Sequence, residues 1–296
     1  MKRKITLILV ASIAVYGCRS HYPVVTNELV VPNTTADLER GKNLTFNVCG
    51  QCHYNKDYKS FIGEEMRDLP GIMGTVYSAN LTHGHIVDRY TDNQLFYLIK
   101  TGIARDGHYI PWMIRPTIAD QDLKDIIAYL RSDDEPIKEN KTDLGKTHLS
   151  WVAKQGLKFM KPQPLHLNEP LPESNPVSQG RYLVDIIGCY HCHSKSMFGL
   201  NYGNPEDSKG YMAGGMSFKV DGKKVYASNL TPDKGTGIGN YTESEFRRAV
   251  KEGIAKSGRK INYPMRHFKH LTDEQADAIF AYIQTLQPVN NKVRGH

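Results

Sequence analysis

Two short stretches share one spacing: Cys49-Gly50-Gln51-Cys52-His53 and Cys189-Tyr190-His191-Cys192-His193. Two thiols three residues apart can bind zinc, exchange disulfides or form thioethers, and a histidine directly after the second thiol narrows the choice. A zinc site wants a second pair of ligands nearby, and here the pairs lie 140 positions apart. A thioredoxin-like centre expects βαβ surroundings, which the flanking sequence does not supply. CxxCH is the attachment signature of c-type haem: each thiol adds to a vinyl group and the histidine binds iron from one side. One helical turn sets both sulfurs against adjacent edges of a flat macrocycle and puts the next imidazole under the metal. The spacing therefore implies two covalently bound haem c groups, with Cys49, Cys52, Cys189 and Cys192 as attachment points and His53 and His193 as iron ligands.

The second axial ligand must come from elsewhere, and an internal repeat points to it. "NLT" at Asn80–Thr82 returns at Asn229–Thr231, and "YTDNQLFYLIKTGIARDG" from Tyr90 returns as "YTESEFRRAVKEGIAKSG" from Tyr241, an offset of 151. Met113 and Met265 occupy corresponding places in the segments that follow, and a thioether suits an electron carrier. Met66, Met73, Met160, Met197, Met212 and Met216 are read as core filler, with Met212 and Met216 as rivals in the second copy and His108 as a competitor in the first. His83, His85, His191, His267 and His270 are expected at the surface.

The elements that position these residues read as helices. Thr91 with Gln94 and Thr242 with Glu245 have capping-box spacing, and Gly102 and Gly253 sit where a helix would stop. Leu123, Ile126, Ile127 and Leu130 in one copy, and Ala276, Ile279, Phe280 and Ile283 in the other, recur at helical spacing; Asp120 and the Thr272/Gln275 pair are their candidate caps. A shorter helix containing Gly41 or Gly180 precedes each CxxCH. Strand signals are weak, so the expected fold class is all-α. From about Ser132 to Val177 the chain is rich in proline, which argues for an extended linker. Its Trp151, Leu157, Phe159 and Met160 are too apolar for a free tether and are expected to pack across the domains.

Lys2, Arg3 and Lys4 precede the apolar run Ile5 to Val15, too short to span a bilayer, as in a secretory signal peptide. It ends in Val15-Tyr16-Gly17-Cys18, which resembles the lipobox of bacterial lipoproteins, so Cys18 is the expected lipidation site. Removing it from the five cysteines leaves the four of the two CxxCH pairs. The formal net charge is +7, and without the three positive signal residues it is +4. Four haem propionates would cancel that in the ferrous state. Export and the absence of a basic run after the signal leave nucleic-acid binding unsupported.

Taken with "NLTPDKGTGIG" at Asn229–Gly239, "GIAKSGRKINYPM" and "LTDEQADAIFAYI", the CxxCH sites resemble the cytochrome c subunits of periplasmic alcohol and sugar-acid dehydrogenases, and more broadly tandem class I cytochromes c. The resemblance implies two tandem all-α cytochrome c domains at 37–131 and 178–290, joined by a Pro-rich linker at 132–177 and preceded by a signal peptide at 1–17 and a tether at 18–36. It also implies His–Met ligation and helix contacts of Gly41 with Tyr129 and Gly180 with Tyr282. Those subunits commonly hold three haems, and this chain has two CxxCH sites; the family's methionine is often followed by proline, whereas Ile114 and Arg266 follow here. The function expected is single-electron transfer on the periplasmic side of a bacterial membrane. The donor would be a dehydrogenase or quinol-oxidising complex and the acceptor an oxidase or reductase. A dihaem enzyme of peroxidase or thiosulfate-oxidising type, with one open iron, is the alternative. The lipid anchor is tested by Cys18→Ser: the variant is expected to leave the membrane fraction, and its retention after a salt wash would exclude the anchor.

Overall fold

Residues 22–24 and 34–294 are described by the computed structural model, so the signal sequence and Cys18 lie outside the described residues. Helix α1 (Leu38–Leu44) starts where the Asp37 carboxylate accepts a hydrogen bond from the Arg40 amide at 3.0 Å. It runs through a π-helical turn, Thr45–Cys49, into α2 (Gly50–His53), which ends on the first CxxCH histidine. π-Turns are rare and concentrate at functional sites. Then follow α3 (Asp92–Thr101), α4 (Asp120–Leu130), α5 (Trp151–Leu157), α6 (Pro176–Ile187), α7 (Cys189–His193), α8 (Glu243–Arg247) and α9 (Asp273–Thr285).

All three expected capping boxes form, at Thr91/Gln94, Thr242/Glu245 and Thr272/Gln275. Gly102 (φ 81°) and Gly253 (φ 73°) end their segments in the left-handed region, which glycine enters without steric cost. The segment after Thr242 is less regular than expected: α8 gives way to a π-helical turn at Arg248–Glu252. Asp120 does not cap α4. It is the first residue of that helix, behind Ala119, and instead pairs at 2.8 Å with the fully buried Lys100. Pro176 does not break structure; it opens α6 behind the Asn175 cap, where its missing N–H costs nothing.

The densest helix contacts are α1 on α4 and α6 on α9. Both depend on a glycine. A Cβ on Gly41 would lie 2.1 Å from the Asp125 carbonyl oxygen and 3.2 Å from Tyr129 Cβ; on Gly180 it would lie 1.8 Å from the Ala278 carbonyl oxygen and 2.9 Å from Tyr282 Cβ. The apolar stripes of α4 and α9 are buried, with Leu123, Ile126, Ile279 and Ile283 each at most 2% exposed. Buried side chains of the two halves form one continuous apolar cluster.

Two small antiparallel sheets accompany the helices among the described residues. β1 (Gly74–Thr75) pairs with β2 (His148–Leu149), and β3 (Ser217–Val220) pairs with β4 (Lys223–Tyr226) in the register Phe218 to Val225. The chain is thus helix-rich rather than free of strands. The β3–β4 turn, Asp221-Gly222, has positive φ at both residues (48° and 79°), the backbone that matches strand twist in a two-residue hairpin.

The proline-rich segment lies along the first half: Asp120 Oδ2 accepts from the Asn168 amide at 2.8 Å, and Tyr109 donates to the Lys161 carbonyl at 3.0 Å. Its apolar side chains do not pack as expected, since Trp151 is 74% and Phe159 86% exposed. Backbone bonds and Ile137, which is fully buried, anchor the segment instead.

Gly180→Ala should lower stability by about 1–3 kcal/mol or more through overpacking. Gly156→Ala, where a Cβ meets nothing within 4 Å, should be neutral or stabilise by up to about 1 kcal/mol through helix propensity. Denaturant midpoints of the two variants check the contrast, and equal midpoints would contradict the tight crossing.

Candidate functional site

The crossing of α6 on α9 delivers the second CxxCH. Gly188 (φ 84°) ends α6 in the left-handed region and starts α7, whose single turn carries Cys189, Cys192 and His193. His193 Nδ1 lies 2.8 Å from the Ser228 carbonyl oxygen. A carbonyl only accepts, so Nδ1 carries the ring proton and Nε2 holds the lone pair, the tautomer a metal ligand needs. His53 repeats the arrangement, with Nδ1 2.8 Å from the Ala79 carbonyl. Burial holds His53 neutral, below its ordinary pKa.

The repeated "NLT" motif explains those carbonyls. Asn229, 2% exposed, accepts from Thr231 through N (3.0 Å) and Oγ1 (2.7 Å) and donates to the Val289 carbonyl at 2.7 Å. Asn80 accepts from Thr82 N and Oγ1 at 2.9 and 2.7 Å and donates to the Asn140 carbonyl at 2.9 Å. Each asparagine braces the turn whose preceding carbonyl orients the histidine. The repetition of "NLT" was the sequence signal for this role; its spacing from CxxCH alone did not reveal it.

The two methionine loops also share backbone bonds. Ile110 N donates to Gly102 O, and Ile261 N to Gly253 O, both at 2.7 Å; Ala104 N reaches His108 O at 2.8 Å, and Ala255 N reaches Arg259 O at 2.9 Å. Met113 closes the short helical turn Pro111–Met113. Met113 and Met265 are both partly buried against the core, as are Cys49 and Cys189.

In the second half these parts converge. A cavity of about 790 Å³ is lined by Cys189, Cys192, His193 and Met265, and Met212 and Met216 are not on its wall. Met212 stands where the first half has Phe61: both are fully buried, and their carbonyls accept from Leu230 N and Leu81 N at 2.8 Å. That is core filling. His108 pairs with Asp106 at 3.0 Å with its side chain 49% exposed. For the first half, the described contacts show Cys49 and Met113 on the same core but give no enclosed site gathering all four predicted residues. His191 is half-buried: Tyr190 and Tyr202 flank it, at 4.4 and 5.4 Å between ring centroids, and burial with Arg115 nearby holds its pKa well below the ordinary value.

The cavity suits a macrocycle with an apolar body and two carboxylates. Its wall includes Phe246, Val250 and Ile279, with Lys260, Arg266 and Lys292 as cationic groups. Phe218, Val225 and Tyr226 of the hairpin also line it; the Asp-Gly turn signal for that wall was present in the sequence. Burial pushes the Cys189 and Cys192 thiols up to about 12, so before attachment they are neutral. Cys49 and Cys52 are likewise raised, to about 12 and about 11.

The two CxxCH segments adjoin each other. Gln51, inside the first motif, donates to the Ile187 carbonyl at 2.9 Å and lines the second cavity. Arg115, two residues past Met113, donates through Nε to the Ile186 carbonyl at 2.6 Å. Arg266, directly after Met265, pairs with Glu64 of the first half.

Asn229→Ala should cost about 1–3 kcal/mol, the price of leaving buried partners unsatisfied. The denaturant midpoint measures it, and an unchanged midpoint would remove the bracing role.

No family profile matches the chain. It is 34% identical over 128 residues to the fructose dehydrogenase cytochrome subunit of Gluconobacter japonicus, a match covering 41% of this chain and 24% of that protein. It is 34% identical over 108 residues to the gluconate 2-dehydrogenase cytochrome c subunit of Pantoea cypripedii (36% and 22%). It is 34% identical over 115 residues to the cytochrome c subunit of the quinone alcohol dehydrogenase of Gluconacetobacter polyoxogenes (38% and 22%). The matches span about a quarter of those relatives' lengths. The chain resembles the cytochrome c subunits of alcohol, sugar and sugar-acid dehydrogenases, a likeness that implies covalently bound haem c.

Proposed function

We propose that the chain is a dihaem c-type cytochrome that moves single electrons as partner or subunit of a dehydrogenase, held by a lipid on Cys18 at the periplasmic side of a bacterial membrane. The observation that carries this reading is the convergence of Cys189, Cys192, His193 and Met265 on one apolar cavity with cationic groups on its wall. Among the described residues no helix is long and apolar enough to cross a membrane, so Cys18 would supply the anchor; bacterial lipoproteins carry more than one acyl chain, which stable anchoring requires.

A bound haem c supplies a reversible one-electron site. The chain's own residues would do the rest. Cys49 and Cys52, and Cys189 and Cys192, would tether the two groups. His53 and His193, oriented by the Ala79 and Ser228 carbonyls, would each present Nε2 to iron, and Met113 and Met265 would supply the second protein ligands. Thioether ligation raises the reduction potential relative to bis-histidine ligation. Gln51 and Arg115 bridge the two attachment segments through the Ile187 and Ile186 carbonyls, so the two segments are held side by side. The relatives are named as cytochrome subunits of dehydrogenases, which supports a dehydrogenase as donor, with a quinol-oxidising complex as the other candidate. An oxidase or reductase would accept.

Mass spectrometry of the denatured mature protein is expected to show two haem additions, and one addition would contradict the count. Met113→Ala and Met265→Ala should each abolish one thioether-to-iron signal and open one iron to carbon monoxide. Stoichiometric carbon monoxide binding at one haem of the unmutated reduced protein would overturn the carrier reading in favour of an enzyme with an open iron.

A further inference from the structure

One turn before the second CxxCH, α6 carries a half-buried carboxylate, one oxygen of which is fully buried, that the roles above do not use. Asp185 precedes Cys189 by four residues, and its Oδ1 is buried with no hydrogen-bond donor among the described residues. An unsatisfied buried carboxylate oxygen is costly, and protonation lowers that cost by removing the charge.

Asp185 sits in the electrostatic reach of a polar chain that leads outward. Tyr211 and Tyr282 hydroxyls are 3.0 Å apart, Tyr282 donates to Glu206 Oε1 at 2.7 Å, and Arg181 Nε lies 3.1 Å from the same Glu206 oxygen. Because Tyr282 donates to Glu206, Tyr211 donates to Tyr282 and is spent as a donor. The groups around Asp185 are Arg181 on its own helix, Glu206, Tyr211, Tyr282 on α9, and Cys189 and Tyr190 on α7. Burial pushes the Asp185 carboxyl up to about 7, against the pull of Arg181 and with the push of Glu206. Both tyrosines are raised by burial and remain protonated.

The first half offers a built-in comparison. Aligning the two CxxCH motifs puts Thr45 at the place of Asp185. Thr45 is fully buried, and its hydroxyl donates to the Gly41 carbonyl at 2.7 Å. It cannot titrate.

We propose that Asp185 is a proton acceptor coupled to reduction of the second cofactor site, with Arg181, Glu206, Tyr211 and Tyr282 as the polar groups that set its electrostatic surroundings. The inference rests on the haem reading above. In the coupled step the oxidised site with Asp185 as carboxylate takes one electron from a one-electron donor and one proton from water, giving the reduced site with Asp185 as carboxylic acid; reoxidation returns both. The sign follows from charge. An added electron makes the site more negative and strengthens proton binding, so by reciprocity losing the proton lowers the potential. The potential of the second site therefore falls as pH rises through the carboxyl's titration range and is flat on either side. The first site, with Thr45, lacks this coupling.

The experiment is potentiometric titration of the holoprotein with its haem content confirmed by mass, from about pH 5 to pH 9, spanning the range where a carboxyl raised by burial titrates. One of two potentials should fall by up to about 59 mV per pH unit, the one-electron equivalent of a tenfold change in proton activity. Asp185→Asn should hold that potential near its acid-side value at all pH, because the amide mimics the protonated acid. The redox-difference infrared spectrum of the unmutated protein should show carboxylate converting to carboxylic acid on reduction, a readout that stands even where the variant does not assemble. A slope that persists in Asp185→Asn, two flat potentials in the unmutated protein, or no carboxyl conversion would each overturn the proposal while leaving the haem reading intact. Missing haem mass would overturn both.

Discussion

Everything around the cysteines depends on how closely two helix backbones approach. At the α6–α9 crossing the space for a Cβ at Gly180 is occupied by the Ala278 carbonyl, and at the α1–α4 crossing the Asp125 carbonyl does the same at Gly41. Side chains would hold the axes further apart. The turn that carries each CxxCH leaves directly from the glycine-containing helix, through the π-turn in the first half and through Gly188 in the second. A change of an ångström at the crossing would be passed to the sulfurs and the imidazole, because a close-packed interior transmits displacement rather than absorbing it.

The two halves are joined by polar contacts around the proposed sites as well as by the shared apolar cluster. Tyr182 on α6 donates to Asp122 on α4 at 2.6 Å and accepts from the Ala119 amide at 3.1 Å. The Phe46 ring stacks on His270 at 3.9 Å, and Tyr263 donates to Asp68 at 2.5 Å. With Gln51, Arg115 and the Arg266–Glu64 pair, these bonds make the loop that bears Met265 partly a property of the first half. The polar bonds among these join buried or half-buried groups across the two halves, so separating the halves would leave those groups to find water.

Low dielectric is the other shared feature of the attachment sites. The same burial that keeps four thiols neutral keeps His53 and His191 uncharged and raises Asp185. Desolvation disfavours whichever form is charged, so one environment pushes acids up and bases down. It also strengthens the coupling between any charge placed there and its neighbours. Arg115 is the cation that most of these groups share, acting on Cys49, Cys52, Cys189 and His191.

The amino-acid sequence by itself determined the chemistry and the local elements: CxxCH spacing, capping boxes, helix-ending glycines and apolar stripes are set by residues within a few positions of one another. It also showed the repeat, through which Met113 and Met265 stood out from the other methionines. What only the tertiary structure decided involves partners far apart in the chain. Asp120 could have capped α4 by its local pattern, but Lys100 and the Asn168 amide reach it across the fold and occupy its two carboxylate oxygens. Trp151 and Phe159 looked like packing residues by composition, yet the backbone of their segment is anchored elsewhere and their side chains face outward. His191 looked like a surface residue, and rings from Tyr190 and Tyr202 leave it half-buried. The role of "NLT" became visible only when its turn was found beside an imidazole 26 or 35 residues away. Local spacing fixes which bonds a residue can make with its neighbours in sequence; burial and long-range partners depend on where every other segment lies, and no window of sequence contains that.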